Sequence, residues 1–179
     1  MSLPDSWGTT KAEEALAFPC DSEPLTPQAA LYRGVSVDSA PATLFRWLCQ
    51  LRVAPYSYDW IDNGGRQSPP ALTPGLEQLE IGQTFMEIFR LSSFETGRHI
   101  TLRIKGGSSA AALFGDVAVS YLVVPEARRS CRLLAKLLVG YPRGVFGCLM
   151  RAVLPWGDLV MMRRQLLNMK ALAERSEAR

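Results

Sequence analysis

The chain has 179 residues, 47% of them hydrophobic and 21% charged, which suits a single domain with its own core and a short appendage better than two domains. Its 20 basic and 17 acidic side chains leave a net charge of +3, too small for a nucleic-acid-binding domain built on phosphate neutralisation. Residues 1–90 hold 6 basic and 11 acidic groups and residues 91–179 hold 14 and 6. This asymmetry fits an acidic tail lying on a basic surface, a basic face toward anionic lipid or an acidic ligand, or two halves that the fold interleaves.

Residues 1–28 contain Pro4, Pro19, Pro24 and Pro27, with one basic group against five acidic ones, the composition of a partly flexible N-terminal extension. Within them, Thr10 and Glu13 have capping-box spacing and predict a short helix from Lys11 to about Phe18 that packs on the body. The domain proper is expected over 29–179. It opens with a strand, Leu31 to Asp38, in which Leu31, Arg33, Val35 and Val37 share a face. Leu44, Trp47, Leu48 and Leu51 then form one stripe of a helix ending near Arg52 to Pro55. From Ala54 to Pro74 the turn formers predict a short helix and a long loop. Period-two patterns at Thr84–Phe94, His99–Lys105, Asp116–Val124 and Ser130–Val139 predict an antiparallel meander. One face of it is expected to meet the core and the other water. Finally, Leu159, Met162, Leu166, Met169 and Ala173 recur at helical spacing and predict a helix from about Pro155 to Glu177.

Cys20, Cys49, Cys131 and Cys148 are scattered, and His99 is the only histidine. No zinc framework or disulfide scaffold follows, so no metal or cofactor is expected, and the free thiols suit a cytoplasmic location. No basic region followed by an apolar stretch opens the chain, so no export signal is expected. The most apolar tract, Val145 to Met162, is interrupted by Arg151, Pro155 and Asp158, which argues against a spanning helix and leaves contact with a membrane surface open.

Three segments carry a resemblance: VSVDSAPATLFRWLCQL at Val35–Leu51, GQTFMEIF at Gly82–Phe89 and DVAVSYLVVPEA at Asp116–Ala127. With the order strand, helix, short helix, meander, long helix, the chain resembles the START and Bet v 1-like (SRPBCC) superfamily, in particular its polyketide cyclase/dehydrase-like branch. The resemblance implies an α+β helix-grip fold, in which a curved antiparallel sheet wraps around a long C-terminal helix. It also implies an apolar cavity between them for a lipid, aromatic or polyketide-like molecule.

In that fold the segment after the first helix lies near the cavity mouth, which directs attention to Tyr56, Tyr58, Asp59, Trp60, Asp62, Asn63 and Arg66. Tyr58 and Trp60 present apolar bodies with polar tips, and Arg66 offers a bidentate fork for a carboxylate or phosphate. The same residues would also serve as loop caps. Met86, Met161, Met162 and Met169, with Leu166, are adaptable lining or ordinary core. Arg90 and Asp116 are the polar candidates for the interior if their strands turn that way, whereas His99 shares a face with Thr101 and Arg103 and is expected to be exposed. There is no G-x-G-x-x-G, Walker or G-x-S-x-G motif. The leading expectation is therefore binding of a hydrophobic small molecule. Cyclase or dehydratase chemistry is the alternative, and a partner- or membrane-docking surface around Arg143, Phe146, Leu149, Arg151 and Trp156 is the second.

Overall fold

Nine-residue β2 (Ala29–Val37) pairs along its whole length with β7 (Ser130–Gly140), and the ladder continues antiparallel through β6 (Asp116–Ala127), β5 (His99–Ile104), β4 (Phe89–Glu95) and β3 (Thr84–Phe85). A two-residue strand, β1 (Ser6–Trp7), joins the free edge of β2 in parallel, giving an open sheet in the order β1-β2-β7-β6-β5-β4-β3. These relations come from a computed structural model that describes residues 3–62 and 64–178. Two helices cover the inner face: α2 (Pro41–Cys49) and the 33-residue α5 (Val145–Glu177). The shorter α1 (Lys11–Glu14) and α3 (Asp59–Asp62) lie at the periphery of this sandwich, and α4 (Ser109–Phe114) packs Ala110 against the core.

Alternation decides which side chains face the helices. Leu31 and Val37 of β2, Leu133, Ala135 and Val139 of β7, Val117, Val119, Tyr121 and Val123 of β6, and Ile100, Leu102 and Ile104 of β5 form one core with Leu44, Trp47, Leu48 and Leu51. From α5, Met162, Leu166, Met169, Leu172 and Ala173 complete it. The end of α5 is tied to the start of α2. Glu177 accepts from the Thr43 hydroxyl at 2.5 Å and from the Ala40 amide at 3.3 Å, satisfying an orphan donor of α2, and Trp47 Nε1 donates to Ser176 Oγ at 3.0 Å.

Three local expectations are corrected and one connecting segment is filled in. The strand predicted over Thr84–Phe94 breaks into β3 and β4, because Met86 and Glu87 take positive φ of 45° and 62°. The segment from Gly106 to Gly115, which separates two of the predicted strands, holds α4, whose start is capped by Ser108 Oγ accepting from Ala111 N at 3.1 Å. The last helix begins at Val145 and runs through Pro155. The outer face of the sheet does not meet water throughout. Phe18 and Cys20 pack there against Tyr32, Ala118, Leu134 and Leu138, Cys20 N donates to Ser120 Oγ at 2.9 Å, and Lys136 pairs with Asp21 at 2.5 Å.

The extension is thus laid on the sheet as far as it is described. Its aromatic anchor, Phe18, is 3% exposed, worth about 1.5–3 kcal/mol if the ring is otherwise left in water. We expect a chain starting at Ala29 to keep one cooperative melting transition while losing at least about 2 kcal/mol. Loss of cooperativity on calorimetry would instead make residues 1–28 part of the core.

Candidate functional site

Between α5 and the sheet lies a seam in which polar side chains are sunk among apolar ones. On the inner face of β2, the Leu31–Arg33–Val35–Val37 register puts Arg33 beneath α5, where it is 1% exposed. Its Nη2 meets Asp158 Oδ2 at 2.7 Å and Pro155 O at 3.4 Å, and its Nη1 donates to Asp5 O and Tyr32 O at 3.0 and 2.8 Å. Arg33 Nε has no partner among the described residues. Burial pushes the Asp158 carboxyl up from its ordinary 3.8 to about 6, against the pull of Arg33.

Two turns farther along α5, Gln165 forms the second polar knot. Tyr121 Oη, reaching inward from β6, donates to Gln165 Oε1 at 2.6 Å and lies 3.5 Å from Met162 Sδ. Gln165 Nε2 donates to Pro55 O at 2.6 Å and lies 3.4 Å from Met86 Sδ. The break between β3 and β4 thus has a structural consequence: the left-handed turn at Met86–Glu87 brings a thioether against α5. Complete burial, with Asp158 nearby, holds the Tyr121 phenol well above its usual range, so it stays a neutral donor.

Asn168, one residue short of the next turn, donates to Tyr56 O at 2.8 Å. With the Gln165–Pro55 bond, it pins Tyr56 at φ 55°, a conformation that costs a non-glycine residue about 1–3 kcal/mol. Tyr56 Oη is buried without a hydrogen-bond partner, and burial pushes its phenol up to about 12. Two unpartnered polar atoms, Arg33 Nε and Tyr56 Oη, therefore sit on the inner side of the sandwich. Each is of the kind that normally finds a partner in a native interior.

The predicted site residues divide into three groups. Met86, Met162, Leu166 and Met169 converge on the seam. Tyr58, Trp60 and Arg66 lie outside it: Tyr58 packs under the Arg164 guanidinium at 5.9 Å, Trp60 is 77% exposed, and Arg66 is on the exposed loop that follows α3. Asp59 caps that loop by accepting from Ser68 N and Oγ at 2.8 and 2.6 Å. Asn63 lies outside the described residues, as does the Asp62 side chain. Arg90 and Asp116 turn away from α5, correcting the expectation that they face the interior. They line an open cleft of about 960 Å³ at the outer margin of the sheet, with Arg103, Lys105, Tyr141 and Arg143. Its one acid is engaged, since Arg103 Nη2 holds Asp116 Oδ2 at 2.7 Å. Gly115, at φ +84°, closes one wall where a Cβ would fall 2.2 Å from Gly140 O. His99 is largely covered, and burial lowers its pKa.

Arg33, Tyr121, Gln165 and Asp158 were missed in the sequence. The signal was present: each is a polar residue at an apolar register position, Arg33 between Leu31 and Val35, Tyr121 between Val119 and Val123, and Gln165 beside Leu166 on the core stripe.

No protein-family model and no curated protein sequence matches the chain significantly. Solved structures do match it. A START superfamily protein from Mycobacterium smegmatis is 16% identical with a TM-score of 0.50, over 82% of this chain and 97% of that one. The helix grip inferred from the sequence is the fold of this protein. The di-domain ARO/CYC StfQ from the steffimycin biosynthetic pathway matches at 12% identity and a TM-score of 0.51, over 84% of this chain and 52% of that one. A protein from Mesorhizobium loti matches at 11% identity and a TM-score of 0.50, over 82% and 97%. At these identities the likeness is one of fold, the START-like and polyketide cyclase-like helix grip.

Proposed function

We propose that the protein binds a hydrophobic or aromatic small molecule, lipid or polyketide-like, in the seam between the sheet and α5. The observation that carries this reading is the Tyr121–Gln165 knot, set among Met86, Met162, Leu166 and Met169. Thioether side chains with three rotatable bonds can repack around an incoming apolar body, while a few fixed polar groups orient it. Arg33 Nε and Tyr56 Oη supply unused donors for a carbonyl or carboxylate on such a ligand. The helix-grip fold is compatible with this arrangement. The ligand class rests on the seam itself.

A ligand that selects the folded state stabilises it by about 2.7 kcal/mol at 100 times its Kd, a rise of about 5–10 °C for a domain of this size. Thermal shifts across fatty acids, polyketide-like phenols and aromatic acids are expected to give saturable hits. Tyr121→Phe should weaken a hit about two- to tenfold, the worth of one hydrogen bond, and Met162→Ala should weaken it as well. A screen without a hit would contradict the reading, as would hits unchanged by both substitutions but lost in Arg90→Ala, which would move the site to the outer cleft.

Cyclase-type chemistry is the second reading, favoured by one observation: a buried carboxyl raised to about 6, Asp158, close enough to Tyr121 to perturb it. Ligand recovered intact supports a binding module. Product formation abolished by Asp158→Asn supports catalysis.

A further inference from the structure

The first half of α5 presents an apolar face to solvent. Val145, Leu149, Val153, Trp156 and Val160 are all more than half exposed, and Phe146 is 41% exposed. Spaced by three and four residues, they lie along one side of the helix over about 22 Å, while Pro155, Leu159 and Met162 are buried toward the sheet. An 18-residue stretch of α5 is apolar enough to cross a bilayer, yet only 22% of it is buried. Contiguous exposed apolar surface of this kind marks a docking site.

We propose that this face docks on an anionic lipid bilayer, with α5 lying in the plane of the interface. Its charges determine the occupant. Between Arg143 and Ala173 the helix and its lead-in carry five cations, Arg143, Arg151, Arg163, Arg164 and Lys170, and a single acid, Asp158. That acid is turned inward onto Arg33, Lys170 is paired with Glu174 at 2.5 Å and Arg151 turns to Gln28 and the Tyr141 ring, so the charge offered beside the stripe comes from Arg143, Arg163 and Arg164. Two of the arginines are held at the shoulders of the stripe by aromatic rings: Arg163 stacks over Trp7 at 5.4 Å and Arg164 over Tyr58 at 5.9 Å. Just beyond Tyr58, the exposed Trp60 and Ile61 of α3 add apolar surface. With its other face held on the sheet, α5 offers a bilayer what an interfacial helix offers it: an apolar stripe with tryptophans and edge arginines.

The alternative occupants fit less well. A spanning orientation would require α5 to leave the sheet, breaking the Arg33–Asp158 pair and exposing Leu159 and Met162. A second copy of the chain, paired stripe to stripe, would set arginines against arginines in either orientation: Arg143 opposite Arg143 if parallel, Arg143 opposite Arg163 and Arg164 if antiparallel. An anionic surface gives Arg143, Arg163 and Arg164 a counter-charge.

Co-sedimentation of the full chain with phosphatidylcholine vesicles, with and without phosphatidylserine, tests this. The protein is expected to pellet with the phosphatidylserine vesicles and to be released by salt. Neutralising Arg163→Gln and Arg164→Gln together should weaken partitioning about 30-fold, at about fivefold for each arginine near an anionic surface. Leu149→Glu with Val153→Glu should abolish it while keeping both the melting transition and any ligand-induced shift, since the replaced side chains are exposed and far from the seam residues. Failure to pellet with phosphatidylserine, or pelleting unchanged by the two glutamates, overturns the proposal. A dimer on sedimentation velocity that Val153→Glu converts to monomer also overturns it, and would assign the stripe to a second copy.

Discussion

Replacing Asp158 with alanine is expected to cost about 3–5 kcal/mol, because it leaves the Arg33 guanidinium buried without its counter-ion. Arg33 is 1% exposed and already has one nitrogen without a partner, so solvent cannot take over the lost contact. Replacing both members, Arg33→Met with Asp158→Leu, should recover most of that loss, since an apolar pair of similar volume removes two desolvation penalties at once. The sign of the pH dependence follows from the same burial. With the Asp158 carboxyl raised from 3.8 to about 6 in the folded state, the native protein binds a proton that the unfolded chain releases between those values. Its contribution to stability is therefore full below about pH 4 and is lost as pH rises through about 6. Urea unfolding of the parent and of Asp158→Asn from pH 4 to pH 7 isolates this term. The difference between them should shift against the parent as pH rises, and a constant difference would refute the raised value.

Leu166→Ala is expected to destabilise the protein by about 2–5 kcal/mol, through the lost transfer energy of the side chain and the void it leaves. Leu166 is fully buried at the centre of the α5–sheet contact, between Met162 and Met169. The methionines set where in this range the value falls: their flexible side chains can relax into the space, which favours the lower half. The same relaxation predicts a gain of function. An enlarged seam should accept bulkier ligands in the thermal-shift screen even as the unliganded protein melts lower. A change below about 0.5 kcal/mol, the size of a surface effect, would place Leu166 outside the core.

How far the fold was legible depended on which side of each element met the core. Leu44, Trp47 and Leu48 of α2, Leu51 in the turn just after it, and the β5 face Ile100, Leu102 and Ile104 are buried where their spacing put them. So is the stripe Leu159, Met162, Leu166, Met169 and Ala173 in the second half of α5. Its first half was unreadable by the same logic: Leu149, Val153 and Trp156 repeat on the solvent side, and Pro155 suggested a boundary where the helix continues. On the outer face of the sheet, Thr101, Ser120 and Lys136 signalled water and are covered instead. Thr101 and Ser120 share a hydrogen bond across neighbouring strands, Ser120 also accepts from the Cys20 amide, and Lys136 pairs with Asp21; Cys20 and Asp21 are far away in the sequence, and no local pattern encodes such pairings.

The candidate site was half legible for a related reason. Met86, Met162, Leu166 and Met169 were found because apolar periodicity points at a core. Arg33, Tyr121 and Gln165 obey the same periodicity, but their polarity reads locally as exposure. Only the sheet register and the crossing of α5 reveal that Tyr121 meets Gln165 and that Arg33 meets Asp158. Tyr58, Trp60 and Arg66 owed their placement to the position of their segment in the resembled fold, and α3 directs Trp60 outward instead.

The central claim, that ligand enters the seam beneath α5, is most directly tested by methionine-methyl NMR of the full chain titrated with a long-chain fatty acid and, separately, with a polycyclic aromatic acid. Met86 and Met162 flank the Tyr121–Gln165 knot, so at least one of these probes should shift both of their methyl signals saturably, with Met169 following. Shifts absent from Met86 and Met162 for both probes, or confined to Met150 and Met161 at the helix margin, would contradict the account.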